Sequence, residues 1–326
     1  MFVVLSGRSK DNSRSPLTVP GTLTPCKLAL TSLSAIFQSS SCIMNEADPL
    51  YSLFIVNCVV NAFSAYTTTM LNILTIHAMR KISRLLLSLA VSDLGVGLLV
   101  QPLYVARIVN PTYFFKTVLR ITSTLFAYAS FFLVVAIGVD RFLAIHLHLR
   151  YQELVTHKRV VAVVISIWTL SVLFPLVICY LYSKKPVQVV VVGIFGFCFI
   201  ITAIIYSKMY FTARHQANQI QVLQIQVAQN SQVESVARKR KSAISMFYIY
   251  LVFLVCNLPL YCVRVAYLIE SLPSPAFLVS ALFSKTLMFL NSSLNPVIYG
   301  WKMRHIRHAM IDVLRNTFPK QNQANL

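Results

Sequence analysis

The sequence predicts an all-α membrane protein: a seven-transmembrane-helix bundle with a short amphipathic helix after it. Three observations carry that prediction. Hydrophobic residues make up 57% of the 326-residue chain and charged residues only 12%, at a mean hydropathy of +0.69, which is not the balance of a soluble globule. Charged residues bound seven apolar windows, each long enough to cross about 30 Å of hydrocarbon at about 1.5 Å per residue. Basic residues gather at alternate ends of these windows rather than over one surface.

The elements follow in order. Residues 1–48 are Ser/Thr-rich and read as a disordered extracellular tail. Within it LALTSLSAIF, after Lys27, is short and far from the start for a signal-peptide core. The tail has no N-x-[ST] sequon, so glycosylation gives no check on its side of the membrane. Spanning helices are expected at about 50–79, 85–107, 113–145, 159–182, 187–212, 241–268 and 275–300. In residues 301–316, Trp301, Met303, Ile306, Met310 and Leu314 fall near helical spacing against Lys302, Arg304, Arg307 and Arg315. That pattern predicts a helix lying on an anionic inner leaflet, followed by a tail at 317–326 without cysteine. The stretch from about 213 to 240 is expected to prolong the fifth helix and, with ARKRK, to present a basic surface to a partner.

A net charge of +20 raises the question of nucleic acid. The distribution answers it, because the basic residues flank apolar windows. One set of connections carries Arg80, Lys81 and Arg84, then Arg150, Lys158 and Arg159, then ARKRK ending at Lys241, then Lys302, Arg304, Arg307 and Arg315. The loops of the opposite set hold far fewer, such as Lys184, Lys185 and Glu270. The positive-inside rule then places the N-terminus outside and the C-terminus in the cytoplasm. Of seven cysteines, Cys58, Cys179, Cys198, Cys256 and Cys262 read as small packed hydrophobes, while Cys26 and Cys42 are candidates for an external pair.

One carboxylate breaks the pattern. Asp93 sits inside LLLSLAVSDLGVGLLVQP, where a lone charge is costly unless polar partners or water receive it. Asn72, Ser130, Asn291 and Asn295 lie at mid-depth of the first, third and seventh windows, and the last two share a helical face four residues apart. Any one of them, alone, ordinarily just bonds a neighbour. Gathered around a carboxylate, they predict a hydrated pocket holding a small hard cation, sodium by size and abundance, on Asp93, Ser130 and Asn295.

SLAVSD with Asp93, DRFLAI with Asp140 and Arg141, Trp168 in the fourth window and NPVIY at 295–299 together resemble the rhodopsin-like (class A) G-protein-coupled receptors, from about residue 50 to 316. The resemblance implies an allosteric sodium site at Asp93, Ser130, Asn291 and Asn295, with no other cofactor. It implies a cytoplasmic switch in which Arg141 pairs with Asp140 at rest and swings toward Tyr206 and Tyr299 when the sixth helix moves out. It also implies a plasma-membrane protein with a heterotrimeric G protein and arrestin as cytoplasmic partners. Pro259 and Pro296 break their helices and are the expected pivots.

The chain departs from that pattern in several places. No cysteine lies between Cys58 and Cys179, so the family's usual outer disulfide cannot form. Cys198 stands where most members have proline, and the outer loop around YSKKP is short. These features resemble the melanocortin, cannabinoid and adenosine receptor branch, melanocortin receptors most. Asn257 replaces the sixth-helix tryptophan, and Lys239 stands where some members hold an acidic partner for Arg141. The first inner connection, HAMRKISRLLL, is several residues short, which implies a first helix out of register or a missing piece of chain.

For the ligand pocket the expected residues are Arg120, Ser123, Arg264 and Lys285. Ser123 occupies the place where amine receptors carry an aspartate, and a serine cannot pair an ammonium. The three cations favour an anionic ligand: a carboxylate, a phosphate-bearing lipid or an acidic peptide. A transporter is disfavoured by the lack of paired broken helices in two related halves. An enzyme is disfavoured because no nucleophile–base pair, metal cluster or phosphate-cradling glycine loop is present. A receptor-like protein that no longer signals is the remaining alternative.

Overall fold

The computed structural model describes residues 49–80, 82–147, 150–181, 185–224, 231–269 and 274–317. The tail before residue 49, with Cys26 and Cys42, and the residues after 317 lie outside these, as does the Lys239 side chain. The helices are α1 (Pro49–Met79), α2 (Arg84–Gly95), α3 (Gln101–Val109), α4 (Tyr113–His146), α5 (Tyr151–Leu154), α6 (His157–Leu181), α7 (Lys185–Gln224), α8 (Ser231–Ile269), α9 (Pro275–Lys302) and α10 (Arg304–Thr317). A wider π turn, Val96–Val100, joins α2 to α3 into one span immediately before Pro102, whose ring removes an N–H and crowds the preceding turn. Among the described residues seven helices are long and apolar enough to cross a membrane.

Local chemistry sets the starts. Ser83, Thr112 and Ser274 cap α2, α4 and α9, each accepting from the backbone N–H three residues on, at 3.5, 3.5 and 3.3 Å. Across the shortened first connection α1 ends at Met79 and α2 begins at Arg84, and α1 still delivers Asn72 to the interior, fully buried. The expected extension of the fifth span holds as far as Gln224, where α7 ends; the residues from Ser231 on, with ARKRK, instead open α8.

Burial ranks the helices. The second span is 61% buried inside the protein and the seventh 50%, against 17% for the fourth and fifth. Asp93, Asn291 and Asn295 therefore ride on the two most buried spans, while the first span, 28% buried, turns one polar face inward. Peripheral helices turn Val59, Phe63, Ile165, Phe197 and Ile200 outward, a surface that suits hydrocarbon and not water. At the Arg141 end the core is built from Met79, Leu86, Leu133, Ile137, Met209 and Ile249, and it includes Ile306 and Met310 from α10. The apolar stripe predicted for the C-terminal helix is therefore divided: Ile306 and Met310 are buried in the bundle while Trp301 and Leu314 face out. Trp301 also belongs to the end of α9, where Lys302 Nζ lies 3.6 Å above its ring.

Candidate functional site

Asp93 is fully buried at the meeting of α2, α4 and α9. Its Oδ2 accepts from Asn295 Nδ2 at 2.8 Å. Its Oδ1 has no hydrogen-bond partner, and neither do Asn291 Oδ1, Asn295 Oδ1 or the Tyr299 hydroxyl, all of them buried. A carboxylate among unpaired carbonyl oxygens is a donor set of the hard, oxygen-only kind that sodium or water satisfies. Ser130 departs from expectation: its hydroxyl pairs with Ser92 at 2.9 Å, one residue before Asp93, instead of reaching the carboxylate.

Pro296 explains another contact. Because it lacks an N–H, the Ser292 carbonyl four residues earlier loses its helical partner. Asn72 Nδ2 supplies one from α1 at 3.0 Å, and also donates to Thr68 O at 2.9 Å. The proline break is thus tied to a neighbouring helix by a specific donor. Trp168 makes a similar tie, donating from Nε1 to Ser88 at 2.9 Å.

At one end of the bundle Arg141 pairs with Asp140 at 2.8 Å. The second carboxylate oxygen accepts from the Tyr151 hydroxyl at 2.7 Å, so Asp140 is held from two sides. Burial, reinforced by this hydrogen bond to Asp140, pushes the Tyr151 phenol up to about 12. It therefore stays protonated, and a donor, throughout the neutral range. Tyr206 donates to Val134 O at 2.8 Å and stacks on Tyr250 with centroids 4.4 Å apart. Neither the Tyr206 nor the Tyr299 hydroxyl bonds Arg141, whose ion-pair partner is Asp140.

The opposite half opens into a cavity of about 980 Å³, counting its mouth. Ser123, Arg264 and Lys285 line it as expected; Arg120 does not. Its floor is aromatic: Phe131 meets Phe195, Phe199 and Phe253 at centroid distances of 5.6, 5.3 and 6.0 Å. Asn257 also lines it and donates back to Phe253 O at 2.8 Å, so the residue in the tryptophan position is held by its own helix.

A family model described as "7 transmembrane receptor (rhodopsin family)" matches residues 68–299, most of the chain. The chain belongs to the rhodopsin family of seven-transmembrane receptors. Among curated proteins, octopamine receptor beta-1R of Drosophila melanogaster is 27% identical over 82% of this chain and 63% of its own. Adenosine receptor A3 of Ovis aries is 24% identical over 71% of this chain and 78% of its own. Melanocortin receptor 5 of Ovis aries is 26% identical over 57% and 56%. The chain thus spans under two thirds of the octopamine receptor's length. These receptors are not enzymes, and the seven apolar helices make this one a multi-pass plasma-membrane protein.

In this receptor the structure brings together Asp93 with Asn295, and Asp140 with Arg141. It places Pro259 and Pro296 inside α8 and α9. Sequence reasoning missed Tyr151, Ser92 and Ser292. The missed signal for Ser292 was its position four residues before Pro296, which leaves a carbonyl in need of a donor.

Proposed function

We propose that this receptor transmits the binding of an extracellular ligand to a cytoplasmic heterotrimeric G protein through helix rearrangement. The observation that carries the reading is the Asp140 clamp, held by Arg141 at 2.8 Å and Tyr151 at 2.7 Å, at the opposite end of the bundle from the aromatic-floored cavity. A charged pair at the edge of the bundle is a bistable element that a few kcal/mol of ligand bias can tip. The basic flanks of that end support its cytoplasmic placement, with the N-terminus outside. Arrestin is the second partner the same surface suits.

The ligand is anionic in this reading. Arg264 and Lys285 line the cavity, and no carboxylate does among the described residues. Carboxylate or phosphate would be received there by charge-assisted hydrogen bonds. Asp93, with Asn291 and Asn295, would hold sodium as an allosteric ligand, with Ser130 contributing through Ser92. The chemistry sodium would supply is charge neutralisation of a buried carboxylate, with the asparagine oxygens completing its coordination.

The experiment is expression in cells with basal and agonist-screened cAMP and calcium, repeated with Arg141→Ala. A signal that depends on Arg141 supports the proposal. Indifference of every signal to that change favours the second reading, a receptor-like protein that no longer signals, which Asn257 in the tryptophan position motivates. Binding of a cationic amine that survives Lys285→Ala would refute the anionic ligand.

A further inference from the structure

A stripe of polar residues runs along one face of α1: Asn57, Asn61, Ser64, Thr68 and Asn72, spaced by four, three, four and four. All five are buried. At about 1.5 Å per residue the stripe is about 22 Å long, most of the thickness of the hydrocarbon layer. It faces α3 and α9 and is cross-linked to both. Tyr104 donates to Asn57 Oδ1 at 3.0 Å and Gln101 Nε2 to Ser64 at 2.8 Å. Asn57 and Asn61 donate to Thr286 at 2.7 and 3.1 Å. Ser64 meets Ser293 at 3.3 Å, Thr68 bonds the same serine, and Asn72 ends the line at Ser292 beside the Asp93 chamber.

Three atoms in this seam are unpaired: Asn61 Oδ1 and Gln101 Oε1, and Asn72 Oδ1 at its Asp93 end, each on a residue with no exposed surface. The first two belong to neighbouring rungs, since Asn61 lies one turn from Asn57 and one from Ser64. Turning either amide over exchanges an unpaired oxygen for an unpaired nitrogen and does not remove the problem. The seam residues include no carboxylate, while Lys285 adjoins Thr286 and Arg107 lies one helical turn from Tyr104. A metal cation is therefore poorly matched to the outer rungs. Water, with two donors for two acceptors and several hydroxyls within reach, matches them.

We propose that the seam between α1, α3 and α9 is a line of bound water through which the Asp93 chamber exchanges with the side of the membrane bearing Lys285. It is a route beside the ligand cavity, with Tyr104 the seam residue that also lines that cavity. The ion reading of the Asp93 chamber is what gives such a route its use, and the proposal rests on it to that extent.

The test is X-ray radiolytic footprinting of the full chain in lipid nanodiscs, in which radicals born from bound water oxidise the nearest side chain. Thr68→Cys puts a reactive sulfur in the seam, away from the residues lining the ligand cavity, and the native Cys256, buried in α8, is the internal control. The expected result is rapid oxidation at position 68 that falls about tenfold when Gln101→Leu is added, with Cys256 unchanged. Gln101→Met, closer in size, gives the same fall if the larger change impairs folding. Oxidation no faster than at Cys256, or unaffected by either change at Gln101, overturns the proposal. Sodium-dependent thermal stability, measured alongside, separates the two readings. Labelled seam without a sodium effect sinks only the ion site; a sodium effect with an unlabelled seam sinks only the route.

Discussion

The link from Asn72 to Ser292 makes a sharp demand on energetics. Asn72→Ala removes the donor that serves Ser292 O at 3.0 Å, and Pro296 has no N–H to replace it. A buried acceptor left unpaired costs about 1–3 kcal/mol, and interhelical bonds in membranes sit near the low end, so a loss of about 1–2 kcal/mol is expected. Restoring an N–H at position 296 should mend the defect from within α9, because the helical partner of that group is the same Ser292 carbonyl. In the Pro296→Ala background the cost of Asn72→Ala should therefore shrink by about 1 kcal/mol. Equilibrium unfolding in mixed micelles, titrated with a denaturing detergent, measures all four corners of this cycle. Additivity within about 0.3–0.5 kcal/mol would show that Asn72 does not compensate the proline and would refute the reasoning.

Tyr151→Phe deletes the 2.7 Å bond to Asp140 and leaves Arg141 as its sole partner there. Basal G-protein activation should rise by roughly two- to fivefold, the equivalent of about 0.5–1 kcal/mol; no rise would count against the clamp. Because the Tyr151 phenol is held up at about 12, above its ordinary value of 10.0, the clamp is complete below pH 10 and lost as pH rises through 12. Basal activity should accordingly owe no pH dependence to this group between about pH 6 and 9, which a membrane nucleotide-exchange assay would check. In Gly138→Ala the added methyl would sit 2.6 Å from Tyr206 Cε2, forcing the ring from its stack on Tyr250. We expect about 1–3 kcal/mol of destabilisation, and an unchanged thermal midpoint would show that the ring yields freely. Asp93→Asn should abolish any rise in thermal stability on exchanging potassium for sodium; a rise that persists places the ion elsewhere.

The sequence by itself determined the seven spans, because apolar length is set by bilayer thickness, and most of the cast around Asp93, because a charge at that depth is expensive whatever the fold. It also marked the Asp140–Arg141 pair, through the resemblance of DRFLAI to the receptor family. The partners of the remaining polar groups were decided by the tertiary structure. Helical periodicity assigns a residue to a face but leaves the rotation of that face to packing, which is why Ser130 finds Ser92 and Arg120 stays out of the cavity. A hydroxyl or amide in a membrane helix also has a choice that its own chain does not reveal. Ser166 and Thr169 turn back to carbonyls four residues earlier on an exposed face, while Asn57 and Gln101 reach across to other helices. Only the approach of α3 and α9 to α1 converts the polar stripe from five local bonds into one continuous seam.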